Sequence, residues 1–215
     1  MSSYNKLDYI FVDLDGTIIE DKYRHYQCYL DIITSLGGTP ISIEEYWDKK
    51  RRAVGRKYIL EASQFLGEEK EFLELWLEKI EEISYLEKSV LKPQVKETLI
   101  KWTSYAENIV LVTLRRKKEN LFHQLKSFGL LPFFHEVIAC DPSSKYSKYD
   151  SLKKKEFSKA IFIGDTEIDV LTAEMLKIKC VGVTNGLRIK ELLNTPLHSD
   201  EIHNINMEDI LKKLY

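Results

Sequence analysis

Two carboxylates follow the first apolar run of the chain. In "YIFVDLDGT", Asp13 comes directly after the run, Asp15 two positions later, and Gly16 next. A second pair occurs in "IFIGDTEID", where Asp165 follows an apolar run and Asp169 lies four residues further on. Like charges this close repel each other when they are partly buried, so they need a compensating cation. Carboxylates in this pattern indicate metal binding, nucleophilic attack or acid–base catalysis.

Other polar residues stand near the ends of apolar runs. Thr113 closes the run "NIVLV", and the segment "SSKYSKYD" contains Lys145 and Lys148. In an open parallel sheet, ligands bind at the carboxyl ends of the strands, where the strand order reverses. If these runs are strands of one sheet, the acidic residues converge at one edge, and their hard oxygen ligands suit Mg²⁺. A lysine and a helix N-terminus beside them would receive an anion, most simply a phosphate.

The elements that must position these residues alternate along the chain. Short runs rich in Val and Ile are typical of strands buried on both faces. Helical patterns lie between them, as in "KKENLFHQLKSFGL" and "TEIDVLTAEMLKI". This alternation predicts an α/β fold with a Rossmann-like parallel sheet and helices on both sides. The five predicted strands are 9–12, 108–112, 136–139, 160–163 and 180–183.

One long segment lacks the strand pattern. From residue 21 to residue 89 the sequence has only helical signals, including Ser42 and Glu45 at the spacing of a capping box. We therefore predict a catalytic core formed by residues 1–20 and 90–215, with an all-helical cap domain inserted at 21–89. The tail after residue 198 predicts a short edge strand and a closing helix.

Composition excludes several functional classes. The chain has 215 residues and a formal net charge of −2, which gives no general attraction to nucleic acid or to an anionic membrane. No apolar stretch approaches the roughly 20 residues of a membrane span. The N-terminus lacks the pattern of a secretion signal, and the three cysteines are widely spaced, so we expect buried thiols and a cytoplasmic location.

The ordered motifs resemble those of the haloacid dehalogenase-like hydrolases. "DLDGT" at 13–17, the threonine of "IVLVT" at 109–113, a lysine and "GDTEID" at 164–169 occur in the order typical of that family. The resemblance extends over the whole chain. The length and the position of the insert are similar to the phosphoglycolate phosphatase and β-phosphoglucomutase-type branch, which carries a helical cap after the first motif.

The resemblance implies a role for each motif. Asp13 would be the nucleophile that forms an aspartyl-phosphate, and Asp15 the general acid and then the general base. Mg²⁺ would be held by the Asp13 carboxylate, the backbone carbonyl of Asp15 and Asp165, with Asp169 either ligating it or acting from outside its coordination shell. Thr113 would bind phosphoryl oxygens.

Further contacts to the substrate follow from the same resemblance. They are expected at Gly16, Thr17, Leu114 and Arg115. The run "TLRR" departs from the family, which commonly has a small polar residue and then a lysine after the threonine. Two lysines remain as candidates for neutralising the phosphate and Asp13. Lys148 has the spacing of a helix start, and Lys145 stays open because the usual Lys-Pro pair is absent.

The predicted cap contains a basic turn, "RRAVGRK". By resemblance, this turn would lie over the active site, with Arg52, Arg56 and Lys57 around Gly55 touching the leaving group. The alternative interpretation is a solvated helix face. A second negative group on the substrate would suit the turn, because arginine binds such groups bidentately.

These features predict a Mg²⁺-dependent phosphatase that hydrolyses a small phosphomonoester through an aspartyl-phosphate, similar to phosphoglycolate phosphatase. One alternative is a sugar-phosphate mutase of the same family, which would use the same two aspartates. Another is a non-enzymatic phospho-acceptor like a receiver domain, which is disfavoured because receivers are shorter and lack a helical insert. The expected partner is a small phosphorylated metabolite, with no nucleic acid or membrane. The sequence leaves the substrate and the oligomeric state open.

Overall fold

A six-stranded parallel sheet forms the centre of the protein. The computed structural model describes residues 6–214. The strand order in the sheet is β5-β4-β1-β6-β7-β8, and every pairing is parallel. The strands are β1 (Leu7–Val12), β4 (Ala106–Leu114), β5 (Glu136–Cys140), β6 (Ala160–Gly164), β7 (Lys179–Val183) and β8 (Leu197–Ser199). All five predicted strands are present, and the edge strand β8 begins before the tail in which it is predicted and overlaps that tail only at Ser199.

The pairing of β1 places the acidic segments at one edge of the sheet. Val12 pairs with Leu111 on one side and with Ile163 on the other. Asp13 is therefore level with the end of β4 and with the end of β6. The chain proceeds from β1 outward to β4 and β5, then returns to β6 and proceeds the other way. The strand order thus reverses beside β1, which is where open α/β sheets bind ligands.

Helices cover both faces of the sheet, as the alternating pattern predicts. One buried cluster joins apolar residues of the strands to α6 (Val95–Trp102), α7 (Lys118–Ser127) and α10 (Met207–Leu214). A second cluster joins the opposite face to α8 (Ser147–Leu152) and α9 (Glu167–Leu176). The Rossmann-like α/β fold predicted from the sequence is confirmed.

Between the first and second strands of the main sheet, five helices of the insert precede α6. They follow the short strand β2 (Ile19–Glu20) and precede β3 (Val90–Leu91), which pair with each other in antiparallel fashion. The helices have their own buried cluster, which includes Tyr29, Tyr46 and Phe72. The cap boundaries at 21 and 89 remain a prediction. The helices are α1 (Lys22–Ser35), α2 (Ile43–Arg51), α3 (Arg56–Ala62), α4 (Glu69–Lys79) and α5 (Ile83–Leu86).

The basic turn interrupts the helical pattern of the insert. α2 ends at Arg51 and α3 begins at Arg56, and between them Ala53 has a φ of 53°. That left-handed backbone conformation ends a helix, and non-glycine residues rarely adopt it. At the start of α2, the Ser42 side chain accepts a hydrogen bond from the Glu45 amide, as the capping pattern predicts. Within residues 6–214 no helix is both long and apolar enough to cross a membrane.

The three cysteines are buried and unpaired. Cys28 lies in the core of the insert, while Cys140 and Cys180 belong to the sheet. Burial raises the pKa of the Cys28 thiol to about 12, which keeps it protonated at physiological pH. These cysteines act as small apolar side chains, as expected from their spacing.

Candidate active site

Three carboxylates meet at the edge of the sheet. Asp13 follows β1, Asp165 follows β6, and Asp169 lies in the first turn of α9. One carboxylate oxygen from each lies within 4.8 Å of those of the other two. All three residues are buried, with Asp165 and Asp169 fully so. The structure therefore brings Asp13 together with two acidic residues from a distant part of the sequence.

The electrostatics of this cluster call for a cation. Burial and the nearby Asp169 and Asp15 raise the pKa of Asp13 to about 7, although Lys148 opposes the shift. Burial and the charges of Asp13 and Asp169 raise the pKa of Asp165 well above its ordinary value. Buried carboxylates in such a group are stabilised by a hard cation with oxygen ligands, and Mg²⁺ fits that description.

Lys148 lies between two members of the cluster. Its Nζ donates to Asp13 Oδ1 at 2.7 Å and to Asp169 Oδ1 at 2.6 Å, and the lysine side chain is only 1% exposed. The neighbouring carboxylates raise the pKa of Lys148 despite its burial, so it is a permanent positive charge. Lys145, the other candidate, is exposed, and its Nζ lies 5.0 Å from the ring centroid of Tyr146. The structure thus places Lys148, and not Lys145, beside Asp13.

Asp169 uses both of its oxygens within the protein. Oδ1 accepts from Lys148, and Oδ2 accepts from the amide of Thr166 at 3.0 Å and from its hydroxyl at 2.7 Å. The second set of bonds is a capping box at the start of α9. Of the two roles expected for Asp169, this geometry favours the one outside the metal's coordination shell. Asp13 and Asp165 are then the side chains that would hold Mg²⁺.

Gly16 and Thr17 lie against the carboxylate of Asp165. Thr17 is fully buried, and its hydroxyl donates to Asp165 Oδ1 at 3.2 Å. Gly16 has a φ of +74°, and a Cβ there would collide with the Asp165 carboxylate. The amide of Leu187 donates to Asp165 Oδ2 at 2.5 Å. These residues fix the orientation of Asp165, which differs from the substrate contacts expected for Gly16 and Thr17.

Two arginines hold the carboxylate of Asp15. Arg115 donates from Nε to Oδ2 at 2.7 Å and from Nη2 to Oδ1 at 2.6 Å, and Nη2 of Arg24 lies 2.9 Å from Oδ1. Burial alone would raise the pKa of Asp15, but the guanidiniums of Arg115 and Arg24 lower it. Arg115 therefore binds the second aspartate, whereas the sequence predicts that it contacts the substrate.

A cavity of about 220 Å³ opens above these residues. The core contributes Asp13, Asp15, Thr113, Leu114 and Lys148, and the helical insert covers them with Arg24, His25, Trp76, Ile80 and Glu81. The hydroxyl of Thr113 is buried and has no hydrogen-bond partner within the described chain. An unsatisfied hydroxyl beside the carboxylates is suited to bind a phosphoryl oxygen. We call this space the site cavity.

The insert is fastened to the core on two sides of the site cavity. The carboxylate of Glu81 accepts from the amides of Arg116 at 3.0 Å and Lys117 at 2.8 Å, just before α7 begins. On the other side, Arg51 donates to the carbonyl of Thr184 at 2.6 Å, and Arg188 donates to the carbonyl of Lys50 at 3.0 Å. These contacts hold the insert over the carboxylates.

The residues of the basic turn lie in different environments in the structure. Arg52 pairs with Asp48 at 2.9 Å on an exposed face, and Lys57 is 74% exposed beside Glu61. Gly55 is also exposed. None of these lines the site cavity, so Arg52 and Lys57 match the alternative interpretation of a solvated face. Arg56 is half-buried and lines a neighbouring cavity.

Several residues of the site carry no signal in the sequence. Arg24, Glu81, Gly186 and Leu187 belong to none of the recognised motifs. Each acts through a partner outside its own secondary-structure element, such as Arg24 of α1 with Asp15 or Glu81 with the amides before α7. Gly186 is needed because a Cβ there would collide with Asp165. A lone arginine, glutamate or glycine does not reveal such a partner.

Comparison with known proteins gives one family and one fold. The model of a family described as haloacid dehalogenase-like hydrolase matches residues 9–183. No curated protein shows a significant match to the chain. A structure from Clostridium difficile assigned as a phosphatase is 18% identical, with a TM-score of 0.74, covering 97% of this chain and 100% of that one.

Two further solved structures are similar over nearly their whole length. One, from Haemophilus somnus, is assigned as a phosphoglycolate phosphatase; it is 19% identical, with a TM-score of 0.72, covering 97% of this chain and 98% of that one. The other, from Thermotoga maritima, is assigned as a β-phosphoglucomutase; it is 16% identical, with a TM-score of 0.66, covering 97% of this chain and 100% of that one. At these identities the similarity shows a shared fold.

Proposed function

This chain belongs to the haloacid dehalogenase-like hydrolase family, and we propose that it is a Mg²⁺-dependent phosphatase acting on a small phosphomonoester, similar to phosphoglycolate phosphatase. The observation that carries the proposal is the position of Lys148 between Asp13 and Asp169, next to Asp165. This arrangement offers a carboxylate nucleophile, a permanent positive charge for the phosphoryl oxygens and a group of oxygen ligands for a metal.

Asp13 is the proposed nucleophile. Its Oδ1 is bound to Lys148, which leaves Oδ2 as the oxygen that forms the bond to phosphorus and becomes part of the aspartyl-phosphate. Bound Mg²⁺ supplies positive charge that offsets the repulsion between the carboxylate and the phosphate. Lys148 and the hydroxyl of Thr113 would hold phosphoryl oxygens, so that much of the catalysis is positioning and electrostatic stabilisation.

Asp15 is the proposed acid and base. Ionised Asp15, the form that its two arginines favour, is the form that removes a proton from water during hydrolysis of the aspartyl-phosphate. Protonation of the leaving oxygen in the first step requires Asp15 to give up part of its contact with Arg115 or Arg24. Because Arg24 belongs to α1 of the insert and Arg115 follows the end of β4 in the core, movement of the insert would change this contact.

The covering helices suit a small substrate. The site cavity has a volume of about 220 Å³ and is lined on the side of the insert by Trp76, Ile80 and Glu81. Such a cover excludes water while the aspartyl-phosphate exists, and it limits the size of the leaving group. The substrate itself is the open part of the proposal.

The test is phosphate release from a panel of phosphorylated metabolites in the presence of Mg²⁺. We expect hydrolysis of at least one small phosphomonoester, and loss of that activity in Asp13→Asn, whose amide cannot form the acyl-phosphate. Asp209→Asn, at an exposed position on α10, is the matched control. Wild-type turnover by Asp13→Asn would disprove the proposed mechanism.

The mutase alternative rests on the similarity to the Thermotoga maritima structure assigned as a β-phosphoglucomutase. A mutase and a phosphatase can be distinguished by their reaction products. A mutase converts one sugar phosphate into an isomer, whereas a phosphatase releases inorganic phosphate in proportion to substrate consumed. Analysis of both products from each active substrate decides between them.

A further inference from the structure

The buried side chain of Gln124 connects the helical insert to the core. Gln124 belongs to α7 and is only 3% exposed. Its Oε1 accepts a hydrogen bond from Nη2 of Arg115 at 3.2 Å, and its Nε2 donates to the carbonyl of Leu86 at 3.1 Å. Leu86 is the last residue of α5, so a single amide group joins an arginine of the core to a helix of the insert.

The chemistry of the two partners fixes the orientation of this amide. A guanidinium has only donors, so the oxygen of Gln124 faces Arg115, and a backbone carbonyl only accepts, so the NH₂ group faces Leu86. Nη2 of Arg115 donates both to Gln124 and to Oδ1 of Asp15, the latter at 2.6 Å. Gln124 therefore restrains the same nitrogen that binds Asp15.

This restraint matters because arginine has a long side chain with many rotamers. Fixing one rotamer costs conformational entropy, which hydrogen bonds on both sides of the guanidinium offset. Groups that support a catalytic side chain in this way keep it in the productive geometry, where a displacement of about 1 Å can cost about 100-fold in rate. Arg115 lies in "TLRR", where the chain departs from the family pattern, so this contact comes from the structure and not from the resemblance.

The insert reaches Asp15 from both of its connections to the core. Arg24 lies in the first turn of α1, shortly after β2, and its Nη2 is 2.9 Å from Oδ1 of Asp15. Leu86 lies near the return connection, shortly before β3. Its carbonyl is linked to Asp15 through Gln124 and Arg115. The orientation of Asp15 is thus tied to the position of the insert at both ends.

We propose that Gln124 is a positioning residue for the reaction, which holds Arg115 so that Asp15 is directed at the leaving oxygen of the substrate. The inference rests on the proposed function, because it assumes that Asp15 protonates that oxygen. When Asp15 gives up part of its contact with Arg115 in order to carry a proton, Gln124 keeps the guanidinium in place. The contact then re-forms as soon as the proton has left. The whole effect of Gln124 passes through Arg115.

The test measures how kcat/KM depends on the leaving group in a series of substituted phenyl phosphates of similar size. This ratio reports formation of the aspartyl-phosphate, the step in which Asp15 is the acid. Gln124→Met has a similar shape and lacks both hydrogen bonds. It should lower kcat/KM by about 10–100-fold for phenyl phosphate, whose leaving oxygen needs a proton. For p-nitrophenyl phosphate, whose phenolate leaves without one, the loss should stay within about threefold.

Three further variants calibrate this measurement. Asp15→Asn gives the dependence on the leaving group when no acid is present, and Gln124→Met should fall between it and wild type. Asn120→Ala removes another amide by which α7 donates to the insert, at 2.8 Å to the carbonyl of Glu81, and should leave the dependence unchanged. Gln124→Glu keeps the shape of glutamine but brings a charge that competes with Asp15 for Arg115, so it should show the same selective loss.

A double-mutant cycle tests whether Gln124 acts through Arg115. In the Arg115→Ala background, Gln124→Met should cause no further change in the dependence on the leaving group, because the two residues then have nothing left to couple. An additive loss in that background would overturn the inference. Equal losses across the whole series of substrates, or no loss at all, would also overturn it, since a purely structural role lowers turnover of every substrate alike.

Failure of the proposed function has a different signature in the same experiment. The wild-type protein would then hydrolyse none of the phenyl phosphates, or would depend on the leaving group as steeply as Asp15→Asn does. In either case Asp15 is not an acid and the inference falls with the proposed function. A wild type that depends only weakly on the leaving group, together with unchanged dependence in Gln124→Met, would overturn the inference alone.

Discussion

Arg115 and Asp15 form a bidentate ion pair, with Nε to Oδ2 at 2.7 Å and Nη2 to Oδ1 at 2.6 Å. Arg115 itself is buried and also donates to the side chain of Gln124 at 3.2 Å. A planar guanidinium bound in this way fixes both the position and the plane of the carboxylate. Arg115 therefore restricts the orientation of Asp15, the second aspartate of "DLDGT".

The first prediction follows from that pair. Arg115→Ala should lower kcat for p-nitrophenyl phosphate by about 10–100-fold, since loss of catalytic geometry has costs of this size. KM should change less, because in the proposed mechanism Lys148, Thr113 and the metal hold the phosphate. Arg116→Ala, at the adjacent exposed position, is the control. A large rise in KM with unchanged kcat would show instead that Arg115 binds the substrate.

The second prediction concerns the carboxylate cluster. Asp165→Asn should raise the Mg²⁺ concentration needed for activity, because one of the two proposed side-chain ligands loses its charge. In the presence of a chelator the same variant should have a higher Tm than wild type, since the buried repulsion with Asp13 and Asp169 is reduced. Thermal unfolding with and without Mg²⁺ measures both effects. Full wild-type activity in excess chelator would contradict the metal assignment.

The third prediction separates the two lysines. Lys148→Met should abolish turnover and lower the free energy of unfolding by about 3–5 kcal/mol, because it leaves two buried carboxylates without their cation. Lys145→Met should change neither turnover nor the free energy of unfolding, since the Lys145 side chain is exposed and contacts the ring of Tyr146. Chemical denaturation and phosphate release measure both variants. The assignment fails if Lys145→Met is the inactive one.

The fourth prediction uses the pKa of Lys50, about 8 in the folded protein and higher in the unfolded chain. Between these values the unfolded state holds more protons, so this group makes the protein more stable as pH rises through that window. At pH 7 the buried charge is present, and Lys50→Met should therefore stabilise the ligand-free protein by about 1–2 kcal/mol, allowing for partial exposure.

Denaturant unfolding across the same pH range checks the sign. The advantage of Lys50→Met over wild type should shrink as pH rises above about 8, because wild-type Lys50 then loses its proton. The charges of Arg56, Arg188 and Asp21 act on the same group. A variant less stable than wild type at pH 7 would show that the ammonium is compensated in the folded protein.

The sequence by itself determined the fold and the acidic centre. Strand-length runs of Val and Ile, each followed by a polar residue, predict a parallel sheet with its ligands at one edge, and Asp13, Thr113 and Asp165 stand at that edge. These predictions succeed because strand burial is a local pattern, and because parallel strands must all end on the same side. The order of the motifs also predicts the family, which the family model over residues 9–183 confirms.

The tertiary structure decided which side chains meet. Lys145 and Lys148 are three residues apart, and local patterns left both as candidates. The first turn of α8 points Lys148 inward to Asp13 and leaves Lys145 exposed to solvent. The arginines are a second example. Arg115 of the core and Arg24 of the insert both bind Asp15. The side chain of Arg115 reaches a partner, Asp15, that is 100 positions away in the sequence. No local pattern encodes such a contact, because it depends on how the insert packs over the sheet.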